Sequence, residues 1–178
     1  MDSINKQQPE QNHKNLEGEK AGKKIKEIVE KSKNCFFCTR IQTGSRFSTR
    51  PMSVQKIDED GVCWFLSATD SYKNKHIQAD NYVQLLFRGE EYSDFLSLYG
   101  QATISRDKDK IKWLWEPVLK TWFTEGIDDP RISVIKVTPV DGYYWDTKHG
   151  QMVAFAKQLI GSVIGKTLDD SIEGELRV

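Results

Sequence analysis

The apolar positions of this chain change period along its length. Over residues 21–32, "AGKKIKEIVEKS", Ile25, Ile28 and Val29 recur at three and four residues among charges. That spacing predicts a short amphipathic helix packed by one face on the domain, capping a barrel end. From Asn34 onward the pattern shortens to β-rich runs. "NCFFCTRI", "FSTRPMSVQKI", "VCWFLSA", "YVQLLFR", "DFLSLYGQATIS" and "RISVIKVTPVDGYYWD" predict six strands. "DEDG" at 58–61 places Asp60-Gly61 where a turn needs positive φ, so residues 50–57 and 62–68 are expected to pair antiparallel. "QTGS" around Gly44 predicts a second hairpin, between the first two strands.

Helical spacing returns in three places. Asp70 or Ser71 is expected to cap a helix running to about Asp80. Over 109–123, "DKIKWLWEPVLKTWF" carries Ile111, Leu114, Trp115, Val118, Leu119 and Trp122 on a broad apolar face, with Pro117 set to kink or restart the helix. "GQMVAFAKQLIGSVIG" predicts a C-terminal helix, and "KTLDDSIEGELRV" reads as a loose tail. Six antiparallel strands with few peripheral helices predict a mainly β fold, a small barrel rather than a doubly wound sheet. Residues 1–20 are too polar to bury a core and are expected to be a disordered tail. The expected division is thus 1–20 tail, 21–160 barrel domain, and 161–178 helix end and tail.

Charge and length narrow the function. The 26 basic and 26 acidic residues among 178 cancel, which argues against nucleic acid or an anionic membrane as partner. No apolar run approaches the roughly 20 residues of a membrane span, and the N-terminus has no apolar centre of a secretory signal. A cytoplasmic location is expected. Three cysteines do not make a disulfide framework. Cys35 and Cys38 form a C-x-x-C on a predicted strand, where residues three apart face opposite sides, and no metal site is expected.

The helix start at 70–73 carries the candidate chemistry. Free N–H groups and the macrodipole make such an end receptive to phosphate. Ser67, Thr69 and Ser71 add hydroxyls, Lys73 adds a charge, and Arg50 on the neighbouring predicted strand can clamp the same anion. Pro51 confines its strand to an edge or bulge, which leaves backbone groups for a planar heterocycle.

These residues also carry a resemblance. "STRPMSVQKIDEDGVCWFLSATDSYKNKHIQADNYVQLLF" resembles the flavin-binding core of the pyridoxamine 5′-phosphate oxidase-like split-barrel family. "LWEPVLKTWFTEGIDDPRISVIKVTPVDGYYWD" is similar to its general stress protein subfamily. The likeness spans roughly residues 25–160. It implies a six-stranded antiparallel split β-barrel, a homodimer with FMN at the subunit interface, and FAD as an alternative cofactor. It also implies that Arg50 and Lys73 hold the phosphate with Ser67 and Ser71, while Arg50, Pro51, Met52 and Ser53 line the isoalloxazine. Where the oxidase has a lysine five positions after the arginine, this chain has Gln55. The oxidase's substrate-binding signature is not recognisable after Trp145, so pyridoxamine phosphate oxidation is not expected.

Trp113, Trp115 and Trp122 are expected in core or interface, and Trp145, ending the last strand, is a candidate flavin contact. His76 and His149 have no visible carboxylate partner, so no general base is assigned. The implied activity is a flavin-dependent oxidoreductase acting on a small molecule with nicotinamide as electron donor. The alternatives are a non-catalytic flavin-binding or sensing module, and a related barrel holding haem or a deazaflavin.

Overall fold

The computed structural model describes residues 12–41, 46–89, 94–147 and 171–178. The predicted hairpin tip at Gly44, the helix over 150–165, His149 and residues 1–11 lie outside them. Among the described residues nine strands form one sheet, in the order β1-β9-β8-β7-β6-β2-β3, with β4 and β5 joined to it through β8. They are β1 (Leu16–Glu17), β2 (Asn34–Thr39), β3 (Ser48–Ser53), β4 (Lys56–Ile57), β5 (Cys63–Ala68), β6 (Tyr82–Arg88), β7 (Phe95–Ser105), β8 (Ile132–Thr147) and β9 (Ser171–Arg177). All pairings are antiparallel except β1 with β9. The sheet curls into an open, split barrel. Long β8 makes this possible: its first half pairs with β5 and its second half with β9, while β7 runs along its other edge.

Helix α1 (Glu19–Ser32) buries Ala21, Ile25, Ile28 and Val29 in the barrel core with Phe37, Phe65, Leu85, Leu98 and Val137. Gly22 permits a close approach to the predicted turn, because a Cβ there would sit 3.1 Å from the Asp60 backbone. Gly61 takes φ +78°, as that turn requires. Charges fasten the same helix to the sheet: Lys24 pairs with Asp146 on β8, and Lys31 reaches the buried Asp94 before β7 at 3.2 Å. A second apolar cluster lies on the outer side of β5 and β8. There α3 (Lys108–Leu114) and two 3-10 turns pack Ile111, Leu114, Leu119 and Phe123 on Val62, Trp64, Leu66, Ile132 and Val134.

Four expectations are corrected. The predicted strand over 47–57 is two, β3 and β4. Between them Val54 N donates to Lys33 O and Gln55 N to Trp64 O, so the chain crosses from the edge of β2 to the edge of β5. Arg50 therefore pairs with Phe37 on β2, not with the strand following the Asp-Gly turn. The helix over 109–123 stops at Leu114, because the residue before Pro117 is forced out of helical geometry; Glu116 has φ −123° and ψ 144°. The break rotates the apolar stripe, leaving Val118 60% and Trp122 63% exposed. Finally, neither expected tail is loose throughout. Residues 171–177 form β9, and residues 12–18 are laced to it by Glu173 N→Asn12 O, Lys14 N→Glu173 O and Gly18 N→Arg177 O.

Candidate functional site

The helix after β5 begins where expected. Helix α2 (Tyr72–Ala79) is capped by Ser71, whose Oγ accepts from Asn74 N at 3.4 Å. Asn74 itself was missed by the sequence reading. Its buried amide accepts from Ser67 Oγ at 2.9 Å and donates to Ser133 Oγ at 2.8 Å, while Ser133 Oγ donates to Ser67 O at 2.9 Å. This network pins the first turn of α2 to β5 and β8. It also engages two residues of the expected cradle: Ser67 is buried against Asn74, and Ser71 Oγ lies 3.2 Å from Asn74 Oδ1. Thr69, half-buried at the end of β5, donates its N–H to Arg131 O.

Arg50 and Lys73 do come together, across the barrel mouth rather than along a hairpin. Arg50 shares the inward face of the sheet with Phe37, and α2 lies across that end. Burial and the neighbouring Arg50 hold the Lys73 ammonium below its usual range, with Asp70 opposing, and burial likewise lowers Arg50. Among the described residues neither forms an ion pair with a carboxylate. Two half-buried cations left to repel each other form a donor set suited to an anion of comparable charge. Arg50 Nη1 donates to the fully buried Thr39 Oγ1 at 3.1 Å, and that oxygen lies 3.0 Å from His76 Nδ1. Thr39 and His76 thus join the site, although their sequence spacing gave no sign of it.

The other expected contacts are spread over two faces. Met52 points inward against the core, while Pro51 and Ser53 are outward and exposed, with Ser53 Oγ donating to Asn34 Oδ1 at 2.6 Å. The alternation allows one ligand to meet only part of this strand's side chains. β3 ends the strand order, so among the described residues its far backbone edge has no strand partner, the property Pro51 suggested. Trp145 is not brought to Arg50. The register row through Arg50 runs by Phe37, Leu85 and Leu98 to Gly142, and Trp145 lies three residues beyond, opposite exposed Phe95 on the outer face. There its ring packs against Tyr143 at a 49° tilt, with ring centroids 4.7 Å apart. Cys35 and Cys38 are both buried on opposite faces: Cys35 lies in the core, and Cys38 Sγ is 3.3 Å from Thr49 Oγ1.

The split barrel, with paired cations at its mouth, defines a class that comparison makes specific. The chain belongs to the pyridoxamine 5′-phosphate oxidase-like family, whose model matches residues 20–169. It is 26% identical over 129 residues to the protein bli-3 of Neurospora crassa, an overlap of 67% of this chain and 62% of that one. The chain thus spans about three-fifths of the length of the curated relative it matches. A solved structure assigned as general stress protein 26 from Jannaschia sp. is similar with a TM-score of 0.72 at 22% identity, over 87% of this chain and 96% of that one. The general stress FMN/FAD binding protein of Xanthomonas citri gives 0.55 at 20% identity, over 68% and 82%. At these identities the structural likeness is one of fold. No helix of the described residues is long and apolar enough to cross a membrane.

Proposed function

We propose that this chain is an FMN-binding flavoprotein whose phosphate is held by Arg50 and Lys73. The observation that carries this reading is the pair itself: two half-buried cations at a barrel mouth, neither with a carboxylate partner among the described residues. A terminal phosphate satisfies both charges, and the first turn of α2 contributes its free N–H groups. The backbone edge of β3 beside Arg50, unpaired among the described residues, suits the hydrogen-bonding rim of an isoalloxazine. Ser67 and Ser71 shape the site through Asn74, Thr69 borders it, and Met52 with the backbone of Pro51 and Ser53 borders the ring. The bound flavin would supply hydride and electron chemistry, and the protein orientation and charge. The activity proposed is a flavin-dependent oxidoreduction of a small molecule, other than oxidation of pyridoxamine phosphate.

The reading includes a homodimer. The outer face of β2, β6, β7 and β8 exposes Phe36 (56%), Leu86 (36%), Phe95 (37%) and Tyr99 (40%), with Tyr143 and Trp145 beside them. Exposed apolar residues gathered on one face suit a contact with a second copy. It adjoins Pro51, which pairs with Phe36, so a second copy on it would border the flavin and could present its own Trp145 there.

The test is flavin titration of the purified protein, followed by absorbance and fluorescence. Tight FMN binding is expected in the wild type, and loss of it in Arg50→Ala/Lys73→Ala with the fold retained by circular dichroism. Unchanged affinity in the double variant would sink the assignment.

A further inference from the structure

One buried hydroxyl, that of Thr39, links Arg50 to His76. A guanidinium only donates, so Thr39 Oγ1 accepts from Arg50 Nη1 at 3.1 Å. That oxygen keeps its hydroxyl proton and a second lone pair for His76 Nδ1, 3.0 Å away. Thr39 is 0% exposed, so solvent does not readily replace either partner. The charges act in the same direction: burial, Arg50 on β3 and Arg40 just after β2 hold the imidazole below its usual range. Lys73 stands one turn earlier on α2, and Asp80, four residues on, is turned to the Tyr82 N–H through Oδ1.

Resting on the reading that an anion binds at Arg50 and Lys73, we propose that Thr39 and His76 are positioning residues of that site. In this scheme a dianionic phosphate monoester binds together with one proton, taken from solvent onto the His76 ring. Thr39 orients the guanidinium, and His76 orients Thr39. Two negative charges beside Arg50 and Lys73 offset the cations that keep the ring neutral, so the bound ring holds a proton more readily. By reciprocity the anion binds more tightly as pH falls through the ring's titration. Thr39 Oγ1 then accepts from both Nδ1–H and Nη1–H, which its two lone pairs allow. A terminal monoester gains more from this than a pyrophosphate-linked dinucleotide, whose nearest phosphate carries one charge. The site therefore favours FMN over FAD.

The experiment uses the full chain and two probes. Sulfate, a dianion that does not titrate between pH 5 and 8, is added while the His76 ring is titrated by NMR. The titration should move up by about one pH unit on saturation. FMN affinity is then measured from pH 8 to pH 6 in wild type and His76→Gln, which removes the titration. Comparison with this variant cancels the titration of FMN's own phosphate. The wild-type advantage should grow up to about tenfold as pH falls. Thr39→Val should weaken FMN binding by about tenfold, with Thr39→Ser as the variant that restores it. An unmoved His76 titration, an affinity ratio flat with pH, or wild-type affinity in Thr39→Val would each overturn the inference. If Arg50→Ala/Lys73→Ala leaves FMN affinity unchanged, the site reading itself fails. If that double variant loses FMN while the ratio stays flat, only the positioning role fails.

Discussion

Asn74 shows how much of this site depends on one side chain. It engages three hydroxyls at once, the buried ones of Ser67 and Ser133 and the half-buried one of Ser71, so its removal strands polar groups inside the protein. Asn74→Ala is expected to cost about 1–3 kcal/mol, read as a lower urea midpoint, and to weaken flavin binding by loosening the first turn of α2. A variant as stable as wild type would show that water replaces the amide. Asp129 makes a second residue-scale prediction. Hydrogen bonds from Arg131 depress its pKa from 3.8 to about 2, so the unfolded chain binds the proton more readily. Its stabilising effect is present above the ordinary carboxylate range and lost as pH falls toward 2. Asp129→Asn should flatten the acid-unfolding curve between those limits; an unchanged acid limb would remove the pair from the stability account.

At the scale of elements, the most informative position is Gly174 on β9. A Cβ there would stand 1.9 Å from Lys14 O, against backbone, so no side chain fits while residues 12–18 keep their place. Gly174→Ala is expected to displace that segment and unpair β1, read as faster hydrogen exchange at Lys14 and Gly18. Retained protection at both amides would contradict the packing. Helices α1 and α2 and the Asp-Gly turn were legible from spacing, because caps and periodicity are local properties. The split of the predicted strand into β3 and β4 was not, since alternation continues through Val54 and Gln55 while their hydrogen bonds change partner.

For the whole molecule, the exposed face bearing Phe36 and Leu86 makes the proposed dimer testable. Phe36→Glu should convert a dimer to monomer in sedimentation and, if the flavin lies at the subunit contact, weaken FMN binding as well. Dimers that persist in this variant would place the contact elsewhere. The second apolar cluster has a different standing: α3 and the 3-10 turns already cover the outer side of β5 and β8, and among the described residues Trp113, Val118 and Trp122 are the large apolar residues left exposed there.

The sequence by itself determined the period of each segment, the caps of α2, the β-rich barrel class and the cationic pair Arg50 and Lys73. Each follows from residue chemistry or from neighbours a few positions apart. Only the tertiary structure decided that Arg50 meets Lys73 over the barrel mouth from β2's edge, that Thr39 and His76 join them, and that Trp145 lies on the other face. It alone decided that residues 12–18 and 171–177 pair. Strand pairing is made by backbone groups common to all residues, so its partners are chosen by the whole chain's packing and leave little trace in local sequence.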